Sequence, residues 1–248
     1  MAMKSNEMTV LSSILSYRKS ATPLMVVLVD PDKNHLYPHL YPYLSDVDMI
    51  FVGGSTGDCI EQCVQDLRNH TSAPIVLFPG NVAQFTPAAD ALLFITLLNS
   101  RRAEVLIEPH IQSAIQVYDS GIEVIPMGYI LVDGDRRSSV EIVSSCTPIA
   151  KASVSELVRH AVAGQLLGKQ LIYLEAGSGA ATPVAAEAIS AVRQHIDLPL
   201  IVGGGIVTPE QMTAAFEAGA DLVVIGNHFE QDPTSLPDFI QAKKTYVR

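Results

Sequence analysis

Gln170-Leu171-Ile172-Tyr173-Leu174 runs directly into Glu175-Ala176-Gly177-Ser178-Gly179-Ala180, and Thr182-Pro183 follows shortly after. An apolar run of this length, closed by glycines, reads as a buried strand. A carboxylate at its end needs a reason, because a charge taken out of water must be paired or used. Small residues in the turn let backbone N–H groups approach a ligand closely. Thr182 as cap and Pro183 in the first turn predict a helix here, over Pro183 to His195. Its positive end would point back at the same loop. The stretch describes an anion beside a base.

The same order of apolar run, polar or glycine stop, and helix recurs along the chain. Leu24 to Val29 stops at Asp30-Pro31-Asp32-Lys33, and Asp48 to Val52 stops at Gly53-Gly54-Ser55. Pro74 to Phe78 ends at Pro79-Gly80, and Ala91 to Leu98 at Asn99-Ser100. Glu123 to Val132 is the fifth strand, and Met127-Gly128 within it marks a bulge or a close backbone contact. Leu198 to Val202 precedes Gly203-Gly204-Gly205, and Asp221 to Ile225 precedes Gly226-Asn227. Helices are predicted over Met8 to Lys19, with Met8, Leu11, Ile14 and Leu15 on one side, and over Asp58 to Asn69. Others start at the capping-box pattern Ser153-Val154-Ser155-Glu156 and at Thr208-Pro209. Eight such strands alternating with helices predict a parallel sheet buried on both faces. Closing it gives a single (β/α)8 barrel domain over residues 1–248, with its chemistry at the C-terminal strand ends. Two segments depart from the pattern. Asn81 to Pro87 is too short and too Pro-flanked for the helix that should follow the third strand. Asp133 to Ala150 is polar, irregular and long, hence either functional or mobile.

Composition narrows the partners. The 248 residues are 48% hydrophobic, enough for a sizeable core, and carry a formal net charge of −10. That balance argues against nucleic acid, while an anionic small substrate stays open, since backbone dipoles and a metal outweigh a diffuse field locally. Cys59 and Cys63 share a helical stripe with Ile60, Val64 and Leu67, which reads as a core face rather than a metal pair. Three cysteines without a disulfide framework point to a reducing, cytoplasmic compartment. No apolar run reaches bilayer-spanning length, no signal peptide is evident, and no histidine pair has zinc spacing.

A barrel would gather Asp30, Ser55, Glu175 and the glycine clusters on one rim. Glycines after the seventh and eighth strands either bind phosphate through backbone amides or simply permit tight turns. Asp30 and Ser55, on adjacent strands, either hold Mg²⁺ together with water and diphosphate oxygens or cap their local turns; Asp32 is the competing ligand. Lys33 meets a diphosphate or stays solvated. Glu175 is the general-base candidate, its pKa raised by burial. Otherwise it pairs with an arginine or hydrogen-bonds to Tyr173.

These residues resemble the geranylgeranylglyceryl phosphate synthase family, prenyltransferases that make the first ether bond of archaeal-type lipids. The match spans most of the chain. It rests on Asp30 to Lys33, Val52-Gly53-Gly54-Ser55, Leu97-Leu98-Asn99-Ser100, Pro126-Met127-Gly128-Tyr129, Val202 to Ile206 and Gly226-Asn227, and most specifically on Tyr173 to Ala180. The resemblance implies a modified (β/α)8 barrel in which extended chain replaces the helix after the third strand. It implies transfer of a geranylgeranyl group from its diphosphate to the C3 hydroxyl of sn-glycerol 1-phosphate, with Mg²⁺ as cofactor. By motif position, Asp30 and Ser55 match metal ligands. Tyr173, Leu174, Glu175, Ala176, Gly177, Ser178, Gly179, Gly203, Gly204, Gly205, Gly226 and Asn227 match the glycerol phosphate site, where Glu175 would take the hydroxyl proton. Pro126 and Gly128 match family positions without an assigned chemistry. The family also implies dimers or larger assemblies, and an amphiphilic donor and product imply transient membrane contact. Phe78, Phe85, Phe94 and Tyr118 are candidates for an apolar prenyl groove, each also a candidate for plain core. A sister branch uses longer, heptaprenyl donors; the Ala-Gly-Ser-Gly run favours the C20 branch. An isomerase or lyase acting on a phosphorylated metabolite would use the same phosphate site without the metal or the groove.

Overall fold

Strand β1, Leu24–Val29, pairs in parallel with both β2, Met49–Val52, and β8, Leu222–Ile225. That double pairing closes a barrel in strand order β1 to β8, seen in a computed structural model that describes residues 8–54 and 59–246. The remaining staves are β3, Ile75–Leu77; β4, Ala91–Leu97; β5, Glu123–Leu131; β6, Leu171–Glu175; and β7, Leu200–Gly203. All eight predicted strands are present, with ends that move by at most two residues.

Alternation along the strands sorts their side chains into two cores. Val26, Phe51, Val76, Leu93, Tyr129, Tyr173, Ile201 and Val224 fill the barrel interior. Val27, Ile50, Leu77, Ile130, Leu174, Val202 and Val223 face outward beneath the helices. Both sets are buried, which is why the strands read as continuous apolar runs.

Helix α1, Val10–Lys19, closes the N-terminal mouth of the barrel. Val10 and Ile14, four apart, pack into the interior, whereas Met8 and Leu15 of the predicted face are exposed. Glu123 fixes the start of α1 by accepting the N–H groups of Val10 and Leu11 at 2.6 and 3.1 Å. α2, Ile60–Arg68, buries Cys63 with Ile60, Val64 and Leu67, but Cys59 is exposed and outside that stripe.

No helix follows β3. Residues 78–90 run as turns and extended chain, as the proline-flanked sequence predicts. The next helices, α3 (Ala103–Leu106) and α4 (Glu108–Ser120), come after β4. The segment 133–150 is more ordered than expected. It holds α5, Ser139–Ser144, capped by the Ser138 hydroxyl, and is pinned by a bridge between Val132 and Ile149.

α6, Val154–Leu166, starts where predicted but without a side-chain cap, because Ser153 sits at ψ 50 rather than in the extended conformation a cap requires. α7, Ala186–Arg193, begins later than Thr182-Pro183 suggested. The Thr182 hydroxyl is engaged instead with Asp135 and Lys151. α8, Pro209–Glu217, has the full capping box of Thr208 and Gln211. α9, Asn227–Gln231, and α10, Leu236–Thr245, complete the chain. Gly128 forms no bulge, since register with β6 is continuous through it. A Cβ there would lie 2.7 Å from Leu98 Cδ1, so close packing explains the glycine. Among the described residues, no helix is long and apolar enough to cross a membrane.

Candidate active site

Glu175 is the last residue of β6 and is buried, with 7% of its surface exposed. Its Oε1 accepts the Gly177 N–H at 2.7 Å, and its carboxylate also takes a hydrogen bond from Tyr173. Burial raises the Glu175 pKa, and those two hydrogen bonds only partly oppose the shift. The hydrogen bond to Tyr173 foreseen for this carboxylate is present, and burial strengthens its hold on a proton, as a general base requires.

The strand ends around it need glycine. A Cβ on Gly203 would fall 2.1 Å from the Tyr173 hydroxyl and 3.0 Å from Glu175 Oε2. Gly204 has φ +81, and a Cβ there would lie 2.4 Å from Glu175 Oε1 and 2.7 Å from the Gly177 nitrogen. The loops after β6 and β7 are thus in direct contact. Ser178 Oγ donates to Asn227 Oδ1 at 2.8 Å, which brings in the loop after β8. The helix expected to point at this spot is displaced: α7 starts at Ala186, and the helical turn nearest the cluster is α9, capped at Gly226.

Asp30 follows the last residue of β1 on the same rim. Its Oδ1 accepts the Asp32 N–H at 3.1 Å, so it does cap its turn, and its carboxylate also lines a cavity. Gly54 packs against it; a Cβ there would lie 2.0 Å from Asp30 Oδ1. Lys33 reaches Glu230 at 2.6 Å and Asp30 at 3.6 Å. Burial works against its ammonium, but the Glu230 hydrogen bond and charge, with Asp30 behind them, hold its pKa above the usual value. Ser55 lies outside the described residues. Mg²⁺ takes oxygen ligands and is held by one or two carboxylates, with waters and substrate phosphates completing its shell. Among the described residues no group of three ligating side chains forms an all-protein cage. Asp30, one of the carboxylates on the cavity wall, fits a cation shared with a diphosphate.

The cavity has a volume of about 570 Å³. At the rim it is lined by Asp30, Lys33, Gly54, Ser178, Asn227 and Glu230. From there it passes Phe78 and Tyr129 and continues between β4 and α4, where Leu92, Phe94, His110, Ser113 and Val117 line it. That lower part occupies the side of the barrel next to the missing helix. Leu92 to Leu97 alone spans about 17 Å of strand. Of the residues read as groove or plain core, Phe78, Phe85 and Phe94 line the cavity, whereas Tyr118 is neither and points to solvent at 81% exposure. Glu175 and Tyr173 do not line the cavity but adjoin it, Tyr173 packing against the lining residues Phe78 and Tyr129 at ring distances of 5.6 and 5.3 Å.

Several site residues escaped sequence reading. Gln84 is buried in the segment that replaces the helix; its amide donates to the Gly54 carbonyl at 2.8 Å and accepts the Gly80 N–H at 2.7 Å. A lone amide in a Pro-flanked stretch gave no signal. Glu230 follows Asn227 by three residues, one helical turn, and that spacing was the available clue. His110 bonds the Ile95 carbonyl at 2.7 Å and packs on Phe94, and burial lowers its pKa.

Residues 16–244 match the PcrB family. The chain is 44% identical over 227 residues to geranylgeranylglyceryl phosphate synthase of Zunongwangia profunda, covering 89% of this chain and 97% of that protein. It is 41% identical over 232 residues to the enzyme of the same name from Flavobacterium johnsoniae, covering 90% and 95%. A crystal structure of (S)-3-O-geranylgeranylglyceryl phosphate synthase from Thermoplasma acidophilum, in complex with the substrate sn-glycerol-1-phosphate, superposes with a TM-score of 0.89. It shares 30% identity and covers 97% of this chain and 100% of that one.

Proposed function

The chain belongs to the PcrB family, and from that premise we propose that it is a prenyltransferase that joins the geranylgeranyl group of its diphosphate to the C3 hydroxyl of sn-glycerol 1-phosphate. The observation that carries this reading is the single cavity that joins Asp30 and Asn227 at the rim to the apolar channel along β4. A phosphorylated-metabolite isomerase would have no use for that channel.

The acceptor phosphate is assigned to the loops after β6, β7 and β8: Tyr173 to Gly179, Gly203 to Gly205, and Gly226-Asn227. Holding the phosphate tail there orients the C3 hydroxyl toward Glu175, so binding remote from the reacting bond contributes to rate. Glu175 accepts the hydroxyl proton as oxygen attacks the allylic carbon, and its raised pKa makes it a better base than a solvated glutamate. The diphosphate is assigned to the end of the cavity lined by Asp30 and Lys33, and its apolar tail to the channel past Phe78 and Phe94. Mg²⁺ would be held by Asp30, with Ser55 as the second ligand by sequence position. When bound, it supplies charge neutralisation for the departing diphosphate. The three free thiols support a reducing, cytoplasmic setting. Ile111, Ile115 and Tyr118, exposed along one face of α4, support a homo-oligomer.

The test is an assay with geranylgeranyl diphosphate and sn-glycerol 1-phosphate, with and without a chelator, read as product mass. Ether product that disappears with chelation is the expected result. Turnover that survives chelation, or product only from a longer donor, would overturn the metal or the chain-length assignment respectively.

A further inference from the structure

The lip of the cavity is apolar, exposed and flanked by arginines. Val143 and Val82 line the cavity and are also 73% and 36% exposed, so its wall continues onto the outer surface. Ile142, beside Val143 on α5, and Ile107, between α3 and α4, are 58% and 54% exposed. Val140 of α5 and Val105 of α3 line the same cavity, so both helices contribute to its wall. Arg102 links them, donating to the Ser144 carbonyl at 3.4 Å. Two arginine doublets flank this rim, Arg101-Arg102 after β4 and Arg136-Arg137 ahead of α5, four of the nine arginines in the chain. All four are exposed. The carboxylates among them are partly engaged: Glu141 with Arg137 at 3.5 Å, Glu104 with Arg102 at 3.6 Å, and Asp135 with Lys151.

We propose that this rim, formed by Ile107, Ile142 and Val143 with Arg136 and Arg137, docks onto a phospholipid bilayer, so that the prenyl tail passes between bilayer and cavity without crossing water. The inference rests on the reading of the cavity as a prenyl site. Apolar side chains insert, and arginines beside them meet headgroup phosphates while their stems lie along the apolar surface. The occupant is a bilayer rather than a second copy of the chain, because a protein seated on this rim would cover the opening through which an amphiphilic donor enters and product leaves. Ile111, Ile115 and Tyr118, further along α4, do not line the cavity, and docking assigns them no part.

The full-length protein is sedimented with vesicles of phosphatidylcholine alone and of phosphatidylcholine with phosphatidylglycerol at about three to one. Wild type is expected to bind both, the anionic ones more tightly and with salt sensitivity. Ile107→Ser/Ile142→Ser should lower partitioning about tenfold or more on both, and Arg136→Glu/Arg137→Glu about tenfold on anionic vesicles. Ile115→Ser should bind as wild type. None of these residues lines the cavity, so turnover of a short, water-soluble prenyl diphosphate should stay unchanged in all three variants. Absence of wild-type binding to either vesicle, or equal loss in Ile115→Ser, would overturn the proposal. So would a rim variant that changes the oligomeric state while vesicle binding stays intact. Vesicle binding without prenyl transfer would overturn the reading of the cavity and leave docking standing, so the two failures are distinguishable.

Discussion

Glu175 Oε1 accepts the N–H of Gly177 at 2.7 Å, which ties the proposed base directly to the turn assigned to the acceptor phosphate. Amide nitrogen and carboxylate also share the space a side chain on Gly204 would need. Glu175→Gln keeps an acceptor for Gly177 and removes the base. Turnover is expected to fall by about 10²- to 10⁴-fold, while calorimetry shows sn-glycerol 1-phosphate binding largely retained. Unchanged turnover would remove Glu175 from the mechanism.

The same burial gives the site a pH signature. The folded protein holds the Glu175 proton more tightly than the unfolded chain does. The base therefore stops working as pH falls through a midpoint above the ordinary glutamate range. Tyr173 opposes the shift through its hydrogen bond, so Tyr173→Phe should move the acid limb of kcat/KM to still higher pH. A limb that stays in place would mean that another group titrates. Stability moves the other way. The raised pKa contributes stability that is complete below the ordinary glutamate range and is lost as pH rises through the folded value. Glu175→Gln should then melt above wild type at neutral pH, and the gap should close as pH falls toward about 4.

Asp30 lines the cavity through a carboxylate whose Oδ1 also caps its own turn. Asp30→Asn keeps that cap acceptor and removes the negative charge on offer to a cation. The Mg²⁺ concentration for half-maximal rate should rise by at least what loss of an outer-shell partner costs, about tenfold. Measured in a metal titration, an unchanged requirement would move the role to Asp32.

The barrel was legible because every strand carries apolar residues on both faces, so its ends are written as abrupt polar or glycine stops. The strand-end glycines were legible for the same reason. Contacts decided by tertiary partners were not. Ser153 and Thr208 carry equivalent capping sequences, yet only Thr208 adopts the extended backbone that lets its hydroxyl meet the N–H of Gln211. Thr182 looked like a cap and serves the Asp135–Lys151 cluster instead, because the loop after β5 lies against it. Nothing local to Gln84 or Glu230 announces the partner that each meets across the rim.

That contrast sets a stability test on two like substitutions. Thr208→Ala removes a formed cap and should cost about 1 kcal/mol, or roughly 2–4 °C in melting temperature for a chain of this size. Ser153→Ala removes no cap bond and should fall within about 0.5 kcal/mol of wild type. Equal losses, read by thermal melts of both variants, would show that Ser153 does cap α6 in solution.

The lower end of the channel should set how much prenyl chain fits. Ser113 and Val117 lie one helical turn apart on α4, both on the cavity wall, with Val117 buried. Val117→Trp adds bulk at the end remote from Asp30 while leaving the rim and the acceptor loops untouched. Product mass after incubation with a ladder of prenyl diphosphates should then shift toward shorter donors. kcat/KM for the C20 donor should fall by about tenfold or more, the cost of overpacking at roughly 1–3 kcal/mol. Tyr118→Ala, on the exposed side of the same helix, should leave the donor range unchanged. If Val117→Trp keeps the full range, the tail leaves the cavity above Val117, and the channel beside the missing helix is not where the chain lies.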